Sequence, residues 1–150
     1  FSEISFLKIL EFRRINLWKD SINLIASRPI FGLGAALFPI LYSIKYEPVY
    51  YTEQHTHNLL LELAAGYGFL VSILFSIFII YLLVSSWKCL DKEYKTNNYD
   101  AFINKTWFAS SVIIISSQMS DVTYYDGRIS IIFWILLSGL RNISLFNGKN

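Results

Sequence analysis

One short stretch gathers the side chains able to move a proton: Glu53, Gln54, His55, Thr56, His57 and Asn58, set directly ahead of the longest apolar run in the chain. Histidine is the side chain best suited to take up a proton near neutral pH. At a membrane boundary it can meet both an aqueous acceptor and a lipid-borne donor. Two plainer readings stand beside catalysis. His57 and Asn58 could cap the helix that follows and satisfy its free amides. Glu53, His55 and His57 would point the same way in an extended strand and could share a metal, but on a helix residues two apart diverge. The chain has no third histidine, so a zinc site would need further carboxylates; no metal is expected.

Arg13, Arg14 and Arg28 form a second constellation. A guanidinium offers paired donors matched to phosphate oxygens and keeps its charge in any setting. Arg14 and Arg28 are fourteen residues apart, close to four helical turns, so one helical face could present both. The alternative is an interfacial helix whose cations snorkel to lipid headgroups. Asp121, Asp126 and Arg128 are a third group, lying between two apolar runs. Ionisable groups at membrane depth are costly and usually paired, so a structural ion pair in a tight turn is expected there.

The elements that must carry these residues are helical. From Glu11 to Ser27 an apolar stripe of Ile15, Trp18, Ile22 and Ile25 recurs at helical spacing, with Arg13, Arg14, Lys19 and Asp20 off it. That pattern suits a helix at a water–lipid interface, with Trp18 at headgroup level. Pro29 ends it, and Phe31-Gly32-Leu33-Gly34 follows as a loop. Residues 35–57, with Pro39, Pro48 and the tyrosines 42, 46, 50 and 51, are expected to be an interfacial loop. Leu59 to Trp87 is long enough to cross a bilayer, with Glu62 near its entrance. Thr106 to Ser120 and Ile129 to Leu140 supply two shorter apolar runs, closed by Arg141.

Composition agrees. Of 150 residues 54% are hydrophobic and only 16% charged, against about a quarter charged in soluble domains. The net charge of +2 says little by itself, and no nucleic-acid partner is expected. The fold expected is all-α, a polytopic integral membrane protein with about three transmembrane helices after an external loop that carries the interfacial helix. Residues 1–58 form that loop and residues 59–150 the spans, a connection near 88–105 and a tail. Lys88, Lys92, Lys95 and Lys105 put the connection in the cytoplasm. Six cations of the first 57 residues then lie outside, against the usual bias, as an enzyme of phosphate-bearing lipids would require. The chain opens on Phe1, and its one Met is Met119; it is expected to be the C-terminal part of a longer protein.

Arg14-x-x-x-Trp18, then Arg28-Pro29-Ile30-Phe31-Gly32-Leu33-Gly34, then His57-Asn58 leading into a span resembles the O-antigen ligase family and its related polymerases. A pattern of that family runs His, then Asn, Ser or Gln, nine residues, Gly, two residues and Thr. Here Gly68 stands in register but Val71 replaces the Thr, and Gly66 stands where relatives often carry Glu. The segment from Asp121 to Trp134 is similar to the terminal hairpin of some members. The resemblance implies an inverting, metal-independent glycosyltransferase without cofactors, in the bacterial inner membrane, with its site facing the periplasm. It would move a glycan from a polyprenyl diphosphate to a sugar hydroxyl on lipid A core or another glycan. His57 would be the general base; Arg14, with Arg13, Arg28 and Asn58, would bind the substrates.

Two other function classes compete. A transporter would place polar residues inside its spans near the midplane; Ser72, Ser76, Ser116, Ser117 and Gln118 are the candidates, none charged. A non-catalytic membrane subunit would use His57 only as a cap. The external loop is the richer site, which favours an enzyme.

Overall fold

The structure, a computed structural model, describes residues 3–46, 54–93 and 99–146, with side chains described for 14–46, 54–91 and 99–145. Among the described residues every regular element is a helix: α1 (Glu3–Ile25), α2 (Phe38–Tyr46), α3 (Leu59–Tyr67), α4 (Phe69–Glu93), α5 (Tyr99–Ser117), a single 3-10 turn (Thr123–Tyr125) and α6 (Gly127–Phe146). The chain forms two compact units, Phe1–Leu74 and Phe75–Asn150.

In the first unit α1 packs against α2 and α3. Its core joins Leu17, Leu24 and Ile25 of α1 to Leu33, to Phe38 and Tyr42 of α2, and to Ala64 and Ala65 of α3. The expected apolar stripe is only partly the buried face. Ile25 is buried and Trp18 half-buried, but Ile15 and Ile22 are exposed, while Leu17, Ser21 and Leu24 turn inward. The helix α2 corrects the reading of residues 35–57 as a loop. Pro39 is its second residue, where the missing N–H would have had no partner in the helix, and the rings of Phe38, Tyr42 and Tyr46 meet at a tilt along one side. Tyr50 and Tyr51 lie outside the described residues.

The expected single span from Leu59 to Trp87 is two helices. Gly68 breaks it, at φ 93° and ψ 164°, a backbone region open essentially to glycine. The bend is sharp: the Ser72 hydroxyl donates to the Leu60 carbonyl at 2.8 Å, whereas twelve residues of continuous helix would span about 18 Å. The loop after α1 closes the break. Leu33 N–H donates to Ala65 O at 2.7 Å, and Phe69 N–H donates to Pro29 O at 2.7 Å. Orphan groups on both sides of the break thereby find partners. A Cβ on Gly68 would meet Ile30 O at 2.0 Å, and one on Gly32 would meet Gly68 N at 2.6 Å, so backbone lies directly on backbone there.

Among the described residues two helical stretches are long and apolar enough to cross a membrane, Phe69–Asp91 and Gly127–Leu145. At ~1.5 Å per residue the first reaches about 35 Å, enough for a hydrocarbon core of about 30 Å. In the second unit α5 and α6 form a hairpin. Trp107 donates its indole N–H to Leu136 O at 3.0 Å and fills the notch left by Gly139, whose added Cβ would stand 1.9 Å from the indole nitrogen. The Ser86 hydroxyl of α4 lies 2.8 Å from Leu140 O of α6.

Candidate functional site

The histidine segment is held from three directions. Asn58 caps α3, its side-chain oxygen accepting from Leu60 N at 3.0 Å and Leu61 N at 3.2 Å. Trp18 on α1 donates its indole N–H to the Thr56 carbonyl at 2.9 Å. Glu62, in the first turn of α3, accepts from the Thr56 N–H at 2.9 Å and stands 3.0 Å from the Thr56 hydroxyl. That hydroxyl also reaches Asn58 O at 2.9 Å, and its one proton serves one of the two at a time. Thr56 is fully buried, and Glu62 is only 8% exposed.

His57 lies between these fixed neighbours in the left-handed region, at φ 53°, and is half-buried. A residue with a side chain is uncommon there and costs about 1–3 kcal/mol unless its surroundings over-determine it. Ala36 is left-handed too, at φ 60°, so the angle alone singles out nothing. What distinguishes His57 is a buried polar clamp on one side and a helix cap on the other.

The other expected site residues are placed as follows. Asn58 is the cap. His55 is half-buried, with Nδ1 3.9 Å from Glu62 Oε1. Arg14 is exposed, one turn before Trp18 on the same side of α1. Arg28 is exposed and does not share a helical face with Arg14, because α1 ends at Ile25 and Arg28 N–H donates to Ile25 O in a turn. The side chain of Arg13, and Glu53 with it, lies outside the described residues. Among the described residues no three His, Cys, Asp or Glu side chains gather as metal ligands.

Sequence reasoning missed Trp18 and Glu62 as parts of this site. Trp18, read only as an interfacial ring, is hydrogen-bonded to Thr56 O. Glu62, taken for an entrance charge, is the hub of the clamp. One acid inside an apolar run is itself a signal of function.

Of the third group, Asp126 and Arg128 form the expected ion pair in the turn. Asp126 accepts from Arg128 N–H at 2.9 Å, and the two side chains pair at 3.5 Å with Arg128 almost fully exposed, a geometry worth little. The turn is organised by the fully buried Gln118. Its amide donates to Thr123 Oγ1 at 2.7 Å and accepts from Tyr124 N at 3.1 Å.

Residues 11–76 match the family model described as O-antigen ligase. This segment is similar to the O-antigen ligases. It runs from α1 through the Pro29–Gly34 loop and the histidine clamp to just past the Gly68 break, and so covers nearly the whole described part of the first unit. No curated protein and no solved structure matches the chain. Besides that similarity, two helices among the described residues are long and apolar enough to cross a membrane.

Proposed function

We propose that the protein transfers a glycan from a polyprenyl diphosphate to a sugar hydroxyl, on lipid A core or on another glycan, with His57 as general base. One observation carries this reading: the O-antigen ligase segment holds His57 in a left-handed conformation between a buried clamp and a helix cap. Structure of that kind, kept at a cost, clusters at active sites.

The imidazole takes the proton of the acceptor hydroxyl as its oxygen attacks the anomeric carbon. The new carbon–oxygen bond forms as the bond to the diphosphate breaks on the opposite face, inverting the centre. Charge develops on the departing diphosphate. Arg14, with Arg13 and Arg28, stabilises that charge most strongly near a low-dielectric boundary, and Asn58 fixes the orientation of its neighbour against the acceptor. No metal is required for this chemistry, since base and cations together handle both proton and charge. The site faces the periplasm from the bacterial inner membrane, with the end of α4 and the start of α5, around residues 88–105, in the cytoplasm, as the lysines there favour.

The test is complementation by the intact protein, wild type or His57→Ala, in a strain lacking its own ligase, read as the surface polysaccharide ladder on a gel. Removal of a general base is expected to cost about 100-fold to 10,000-fold, so the ladder should vanish at normal protein level. A ladder restored equally by wild type and variant would make His57 a structural cap and end the assignment.

A further inference from the structure

Glu62 occupies a position where burial alone would favour another leucine. It sits among Leu59, Leu60, Leu61 and Leu63, and a buried carboxylate is retained at a cost in solvation. Helix capping does not explain it. In a capping box the acid at the third helical position reaches back to the N–H of the cap residue. Glu62 is one residue further along, the cap is already made by Asn58, and the carboxylate reaches past it to Thr56. The bond therefore spans His57. Trp18 holds the carbonyl of the Thr56–His57 peptide, Glu62 holds Thr56 by its N–H and reaches its hydroxyl, and Asn58 is locked into α3. With the peptide plane before His57 fixed and the residue after it fixed, the left-handed φ of 53° is imposed rather than chosen.

The geometry points to Glu62 as a positioning residue, which acts through Thr56 to hold the His57 imidazole in its working orientation by accepting hydrogen bonds rather than by its charge. This rests on the reading of His57 as base. Hydrogen-bond acceptance and charge are separable by side chain. In Glu62→Gln the amide oxygen still accepts from Thr56, but the negative charge near His55 is gone. In Glu62→Asp the charge stays, but the oxygens withdraw by about one bond, ~1.5 Å. Glu62→Ala removes both.

The experiment uses membranes carrying the intact protein, supplied with the host's own polyprenyl-diphosphate-linked glycan and with purified lipopolysaccharide lacking its outer chain as acceptor. Protein amounts are equalised by immunoblot, so a variant that merely misfolds shows as lost protein. Glu62→Ala and Glu62→Asp are expected to lower kcat about a hundredfold, the usual cost of a catalytic group misplaced by an ångström, with KM for the acceptor little changed. Glu62→Gln should keep most of the wild-type kcat. In a His57→Ala background, read over long incubations, Glu62→Ala should cost nothing more.

Activity kept by Asp and lost by Gln would overturn the proposal in favour of a role for charge. So would an active Glu62→Ala, or the same hundredfold loss in the His57→Ala background. The two readings fail separately. A dead His57→Ala beside an intact Glu62→Ala leaves the base and removes its positioning residue. An active His57→Ala beside a dead Glu62→Ala removes the base, and the positioning with it, and leaves Glu62 essential for another reason.

Discussion

Both compact units bury polar side chains, but they use them differently. Up to Leu74 the bonds between residues far apart in sequence hold irregular backbone: Trp18 grips Thr56 in the stretch before α3, with Glu62 close by in sequence, and Leu33 and Phe69 stitch the loop after α1 to the broken helix. From Phe75 onward such bonds join regular helices, Ser86 reaching Leu140 O and Trp107 reaching Leu136 O, and the one irregular turn is held only locally, by Gln118 on Thr123 and Tyr124. The glycines divide the same way. Gly68 is needed for a backbone angle, whereas Gly139 is needed for room. Irregular backbone is retained at a cost wherever it carries a task, while helices packed face to face need only fit. The O-antigen ligase match, residues 11–76, falls on the region where the irregular backbone is held.

The sharpest way to break this contrast is Gly68→Ala. Its new Cβ would stand 2.0 Å from Ile30 O, at a φ of 93°, so neither the side chain nor the backbone has an unstrained solution. The expected cost is about 3 kcal/mol or more, read as lost protein in membranes and a lower melting temperature in detergent. A stable Gly68→Ala would mean that the break is not what the first unit depends on.

Gly139→Ala tests the other unit, with a smaller effect. The Cβ would displace the Trp107 indole and break its bond to Leu136 O, but a side chain can move where a carbonyl cannot. A loss of about 1–3 kcal/mol in detergent melting is expected, with transfer activity per folded molecule unchanged. Trp107→Ala in the same chain removes the obstacle, so the pair should cost less than the sum of its members.

Much of this was legible in the sequence. Asn58 ahead of an apolar run announces a cap, and the spacing of Asp126 and Arg128 around Gly127 announces a paired turn. The long apolar run announces a span, although the sequence starts it at Leu59 and the helix long enough to cross starts at Phe69. What was not legible depends on partners distant in sequence. Gly68 interrupts a run that is equally apolar on both sides, and only the Ile30 carbonyl pressed against it shows why glycine is required. Pro39 and the tyrosines around it read as loop because a proline fits a loop as well as the first turn of a helix, and nothing nearby in the sequence separates the two. Trp18 suits an interface as well as it suits a hydrogen bond, until the Thr56 carbonyl is found beside it. Arg28 keeps helical register with Arg14 only if α1 continues, and the turn at Ser27 and Arg28 ends that register.

The smallest effect is also the cleanest separation of the two units. Ser86 is fully buried, with its hydroxyl 2.8 Å from Leu82 O in its own helix and 2.8 Å from Leu140 O in α6. One proton cannot serve both carbonyls fully, and the Leu82 bond remains available when α6 shifts away. Hydrogen bonds between membrane helices average about 0.6 kcal/mol for this reason, since the separated helix finds other partners. Ser86→Ala should therefore lower detergent melting only slightly and leave transfer unchanged. A loss of transfer at normal protein level would show that α4 and α6 do more than pack, and the contrast between a working unit and a packed one would no longer hold.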